Sequence, residues 1–202
     1  MQTSKITCYT SITNQKDEDR NDILCFSKNL KFISPVMGAK IYKVLAHKFL
    51  ECDISIWMDG NIHLLKSAQW YVDNWLGEND IAFFRHYKSK DLAWELKWIK
   101  YVWRSRDRRV YNEAVAQVKH YEALGLPANS DMAMGGFIIR RHNKAVAQFN
   151  EAWWAEICRW GQRDQLSLPM VLKSMPWLKV NRIVEILERD RISQSFTIEW
   201  YK

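Results

Sequence analysis

The residues best placed to do chemistry close a compact apolar run, DISIWMD at 53–59, which continues as Gly60 and Asn61. A buried strand stopping there delivers Asp59 and, two positions on, Asn61, with both side chains on one side of the chain. Their oxygens suit a hard divalent cation, which takes oxygen ligands and often keeps diphosphate oxygens in its shell. Asp-Gly and Gly-Asn are also common turn dipeptides, so a plain turn is the other reading of the segment. Lys40, Lys43 and His47 stand at i, i+3 and i+7 and line one helix face. Beside the Asp59 loop this ridge offsets diphosphate charge; elsewhere it is a solvated face. Arg163, Asp164 and Gln165 follow a helix carrying Trp153 and Trp154. Asp164 is placed either to N-cap the next helix or to act as a general base beside a reacting hydroxyl. Gln165 offers sugar hydroxyls both a donor and an acceptor. Gly135 and Gly136 lead into a strand ending in Arg140, Arg141 and His142, so they either let a ligand approach the backbone or make a tight turn. Arg85, His86 and Tyr87 end another strand as a basic, hydrogen-bonding cluster or as ordinary surface.

These groups need elements to hold them. Residues 5–12 alternate and are rich in β-branched and aromatic types, which predicts a strand, and ILCFS after a polar loop predicts a second. Pro35 opens a helix running through Leu50. The 53–59 strand follows, then a helix over 64–76, a strand over 81–87 and one long or two successive helices over 91–124, stopped by Gly125 and Pro127. A strand at 135–141 precedes helices at 143–160 and 164–174, the second capped by Asp164. The tail 180–202 mixes a short strand, FTIEW, with helix or loop. Strands alternating with helices predict an α/β sandwich.

At 202 residues the chain fits one domain, and 48% hydrophobic with 26% charged residues excludes a disordered chain. Thirty basic against 23 acidic residues leave a net charge of +7, which favours nucleic acid, an anionic membrane surface or phosphorylated small molecules. Cys8, Cys25, Cys52 and Cys158 show neither CxxC nor ligand spacing, which excludes a zinc ribbon; buried free thiols in a reducing compartment are expected. The N-terminus carries no signal pattern and no apolar run reaches membrane-spanning length, so the expected location is the cytoplasm, with at most peripheral membrane contact. GxSxG, HExxH, P-loop and GxGxxG patterns are absent.

In order, the pieces YTSIT at 9–13, CF at 25–26, Lys40 to His47, DISIWMDGNI at 53–62, FFRH at 83–86, Gln117 with Tyr121, GGFIIRRHN at 135–143, the tryptophan pair at 153–154 and RDQLSLP at 163–169 resemble a family. It is the glycosyltransferase-like domain, formerly of unknown function, shared by plant cell-wall and mucilage transferases and by bacterial and viral proteins. The resemblance spans about residues 5–175 of a single domain over 1–202, leaving 176–202 as a C-terminal extension. It implies a GT-A type, Rossmann-like α/β/α sandwich with a central mixed sheet. The implied enzyme is a glycosyltransferase moving a sugar from a nucleotide-diphosphate sugar to the hydroxyl of a glycan or other acceptor, usually with Mn²⁺ or Mg²⁺.

By that resemblance, Asp59, Gly60 and Asn61 occupy the place of a DxD motif, with Asp59 and Asn61 on the metal; the amide in place of a second carboxylate weakens metal binding. Lys43 and His47 face the diphosphate, Tyr9 and Thr10 lie at the nucleotide end of the first strand, and Gly135 and Gly136 pass close to the donor sugar. Asp164 and Gln165 are the implied catalytic pair, with His86, Arg163 and Trp154 toward acceptor or donor sugar. In an inverting enzyme Asp164 is the base; in a retaining one it orients the substrates while the leaving phosphate takes the proton. Two other classes stand beside this one: a basic nucleic-acid-binding module, disfavoured because the basic residues read as scattered rather than clustered, and a catalytically inactive nucleotide-sugar binder.

Overall fold

The β-branched and aromatic runs form a six-stranded sheet in the order Leu24–Phe26, Ile6–Ser11, Ile54–Met58, Ala133–Arg141, Ile81–Arg85, Val180–Ile183. The computed structural model describes residues 4–14, 17–28, 34–86, 91–103, 107–184 and 194–199. Its strands are β1 (Ile6–Ser11), β2 (Leu24–Phe26), β3 (Ile54–Met58), β5 (Ile81–Arg85), β6 (Ala133–Arg141) and β7 (Val180–Ile183). β1 runs parallel to β2 and β3, whereas β6 runs antiparallel to both β3 and β5, and β7 is parallel to β5. The sheet is therefore mixed, and the chain has the central mixed α/β sheet expected of it.

Side chains alternate across the sheet, so two cores form. On one face Tyr9, Trp57, Phe83 and Ile138 pack with Val44 of α1 (Pro35–Val44), Phe149 and Trp153 of α5 (Lys144–Trp160) and Leu168 of α6 (Asp164–Ser174). On the other, Ile56, Met58, Phe84 and Phe137 meet Tyr71 of α2 (Ala68–Tyr71), Trp75 of the following π-helical turn (Val72–Leu76), and a small antiparallel pair of β4 (Ile62–Leu64) with β8 (Phe196–Ile198). A third cluster joins α3 (Leu92–Trp103), α4 (Arg108–Ala123) and α6.

Four local expectations change. The helix from Pro35 stops at Val44 and gives way to a 3₁₀ turn, Ala46–Lys48, instead of reaching Leu50. The 64–76 segment begins as strand and then splits into a short α-helix and a π turn. Asp164 caps nothing: Arg163 holds the N-cap position without a side-chain cap bond, because the Asp164 carboxylate is committed elsewhere. The four cysteines are free, but Cys8, Cys25 and Cys52 are half-buried and Cys158 is exposed. Of the tail, 185–193 and 200–202 lie outside the described residues, as does Tyr87.

Candidate functional site

Because β1 and β3 are parallel neighbours, their C-terminal ends open on one edge of the sheet, where α/β sheets bind ligands. The first ends at Ser11 and continues as Ile12, Thr13 and Asn14; the second delivers Asp59, Gly60 and Asn61. Antiparallel β6 brings its opening residues to the same edge, and the Asp59 N–H donates to the Gly136 carbonyl at 2.8 Å. Lys40 and Lys43 come in from α1, and Asp164 and Gln165 from the first turn of α6. With Trp57, Arg163 and Asp17 these residues line a cleft of about 540 Å³. An acidic depression lined by Asp17, Glu18 and Asp19 adjoins it.

Charge in the cleft is organised around Asp164. Its Oδ1 lies 2.8 Å from Lys40 Nζ and its Oδ2 2.7 Å from Lys43 Nζ, with all three side chains largely buried. Burial opposes the carboxylate charge, but the two ammoniums outweigh it and hold Asp164 far below the usual carboxylate range. Lys40 is lowered by its own burial, with Asp164 opposing. Asp59 still meets solvent in the cleft, yet the surrounding walls desolvate its carboxyl and raise its pKa, opposed first by Lys43. Trp57 Nε1 donates to Asp59 Oδ1 at 3.2 Å. The Lys43 ammonium also stands 5.9 Å from the Trp57 ring centre and 6.0 Å from that of Trp153. Gly135 makes room for it, since a Cβ there would sit 2.8 Å from Lys43 Nζ.

Arg140 explains where α1 ends. Fully buried, its guanidinium donates to the Lys43 carbonyl at 2.5 Å and the Val44 carbonyl at 3.2 Å, and also to Tyr9 Oη at 3.1 Å and Asn150 Oδ1 at 2.9 Å. An α-helix continuing past Val44 would need those two carbonyls for the N–H groups of His47 and Lys48. With the guanidinium there, Lys48 N–H turns to Leu45 O at 2.8 Å, which is the 3₁₀ bond. A cation at the negative end of the helix is favourable, and here it fixes the turn that carries Lys43.

Asp59, Gly60, Asn61, Lys43, Gly135, Gly136, Arg163, Asp164 and Gln165 thus share one cleft. Five other candidates stand outside its lining. Tyr9 is buried beneath it, donating to the Lys43 carbonyl at 3.2 Å. Thr10 is fully buried, its hydroxyl without a hydrogen-bond partner among the described residues. His47 turns to Glu151 and Asn150, at 3.3 and 3.2 Å. His86 follows β5, its backbone N–H on the Met132 carbonyl. Trp154 is half-buried against the core; its neighbour Trp153 serves the site, donating from Nε1 to the Asp164 carbonyl at 3.0 Å. Ser11, Thr13, Asn14, Asp17 and Trp57 join the lining unannounced, although a strand-end loop beside a parallel neighbour was the signal for the first three.

No group of three or more His, Cys, Asp or Glu side chains among the described residues is arranged to hold a metal. Asp59 and Asn61 together offer one carboxylate and one amide. That set fits an ion such as Mg²⁺ or Mn²⁺, which binds few protein ligands and completes its shell with water and phosphate oxygens, and does not fit a closed protein cage.

The sequence profile of the TOD1/MUCI70, glycosyltransferase-like domain matches residues 13–197. The chain belongs to this family. Over 150 residues it is 29% identical to an Arabidopsis thaliana protein described as "Probable hexosyltransferase MUCI70", covering 71% of this chain and 26% of that protein. The chain therefore spans about a quarter of the length of that relative. Among solved structures it is similar to the galactosyltransferase LgtC in complex with donor and acceptor sugar analogues, at TM-score 0.36 and 12% identity over 78% of this chain and 47% of that one. It is also similar to the apo form of mouse xyloside xylosyltransferase 1, at TM-score 0.40 and 14% identity over 72% and 50% of the two chains.

Proposed function

We propose that the chain is a glycosyltransferase that moves a sugar from a nucleotide-diphosphate sugar to the hydroxyl of a glycan or similar acceptor. The observation carrying this reading is the meeting, in one cleft of a glycosyltransferase-like domain, of a strand-end Asp59, the Lys40 and Lys43 pair and the Gly135-Gly136 approach. The nucleotide lies along the Ser11 to Asn14 loop, with the diphosphate toward Lys40 and Lys43. Asp59 and Asn61 would hold Mn²⁺ or Mg²⁺, which would supply further neutralisation of charge on the diphosphate. Glycines at 135 and 136 let the donor sugar approach the backbone. As the acceptor oxygen bonds to the anomeric carbon, the bond from that carbon to the diphosphate oxygen breaks, and the departing diphosphate takes the hydroxyl proton. Asp164, with both oxygens on lysines and a depressed pKa, is a poor base; this supports the orienting role, in which it holds the two ammoniums in place.

A thermal-shift panel of nucleoside diphosphates, with and without Mn²⁺, tests the reading. At a hundred times its Kd a ligand stabilises by about 2.7 kcal/mol, which is a shift of roughly 5–10 °C for a domain of this size. A shift confined to one base is the expected result. No shift with any nucleotide, in either condition, overturns it.

A further inference from the structure

The chain's positive charge is not spread evenly. Residues 88–109 hold eight basic and three acidic residues, a surplus of five out of the net +7, so the basic residues are scattered but most of the surplus falls in one stretch. Within it α3 turns Leu92 and Ile99 into the core, and its one buried acid, Glu95, pairs with Arg163 of the cleft. Those contacts fix the rotation of the helix. Its outer face presents Trp94 at 48%, Trp98 at 45% and Tyr101 at 82% exposure, at i, i+4 and i+7. Lys97 lies among them and Lys100 on the flank, both exposed. None of these five residues lines the cleft or the acidic depression beside it.

We propose that this face of α3 docks the chain on an anionic phospholipid bilayer. Indole and phenol rings settle at the level of the lipid headgroups, while lysine stems lie along apolar surface and carry their ammoniums to the phosphates. Exposed rings with exposed lysines and no exposed acid on one helix face match the charge of such a surface. Single-stranded nucleic acid also meets aromatics and cations, but it is held in a groove that tracks its backbone, and these residues line neither the cleft nor the depression beside it. The proposal is independent of the nucleotide-sugar reading. It gives the Arg163–Glu95 pair a consequence, because docking through α3 keeps the cleft close to the membrane.

Co-sedimentation decides it, with vesicles of phosphatidylcholine alone and of phosphatidylcholine with phosphatidylserine. The chain should pellet with the anionic vesicles, and less so as salt rises. Lys97→Glu with Lys100→Glu should reduce the bound fraction at least about tenfold. Trp94→Ser, Trp98→Ser and Tyr101→Ser combined should abolish binding, with the Tm unchanged. If the aromatic variant loses its fold, the lysine variant decides alone. Wild-type chain left in the supernatant with anionic vesicles, variants that pellet like the wild type, or retention by polyuridylate in place of vesicles would each overturn the proposal.

Discussion

Lys43 is confined from several directions: Asp164 takes its ammonium, Trp57 and Trp153 flank it, and only a glycine leaves space at position 135. A methyl group at 135 must push the ammonium away from the Asp164 carboxylate. Gly135→Ala should therefore weaken nucleoside-diphosphate binding by about tenfold, the scale of one charge-assisted hydrogen bond, as read by titration calorimetry. Binding equal to wild type would remove Lys43 from the donor site. Much of this cleft was legible as residue types, since Asp59, Asn61, Lys43 and Asp164 carry charge or amide groups at strand and helix ends. What periodicity does not convey is which aromatic supports which ion. Trp57 and Trp153 are core, but each also points its indole N–H at the site: Trp57 at the Asp59 carboxylate and Trp153 at the Asp164 carbonyl.

The helix that carries Lys43 was expected to continue to Leu50, and its apolar spacing gives no warning of a stop. The stop comes from a strand more than ninety positions downstream, through Arg140 on the Lys43 and Val44 carbonyls. Local pattern cannot report a contact of that sequence separation. Arg140→Met takes a donor from the Val44 carbonyl, Tyr9 Oη and Asn150 Oδ1 and leaves the Lys43 carbonyl with Tyr9 alone, and it should cost about 2–4 kcal/mol in urea unfolding. Arg140→Lys should recover less than half of that loss, because a single ammonium does not reproduce the two-pronged guanidinium. Full recovery by lysine would show that charge alone, without the fork, ends the helix. Most strands and the long helices were readable from their patterns, the three-residue β2 within ILCFS and β8 within FTIEW among them, whereas β4 sits at the start of a segment that reads as helix and β7 in a stretch of the tail that reads as helix or loop.

For the molecule as a whole, acid stability follows from His142, just beyond β6. Burial first, then Arg140 and His47, lower its pKa to about 4, with Asp53 opposing. Between the ordinary histidine value of 6.5 and about 4 the unfolded chain takes a proton that the folded chain refuses, so stability falls as pH drops through that window. At about 1.4 kcal/mol per pH unit, and with the ring partly open to water, the loss should be about 2 kcal/mol. His142→Gln should flatten that part of a pH–unfolding profile; an unchanged slope would assign the loss to other groups. The layered sheet was legible as alternating strands and helices, but the covering of its second face was not, because that face is closed by segments far apart in sequence. Here β8 pairs with β4, and Glu199 N–H reaches the Asn61 carbonyl at 2.8 Å, so residues near 196–199 fasten the loop bearing Asp59 and Asn61. During synthesis on the ribosome that fastening waits until residue 199 has cleared the exit tunnel. A nascent chain can assemble most of its central sheet well before the edge that bears the cleft is complete, and premature termination near residue 190 would release a protein with the sheet but without the secured loop.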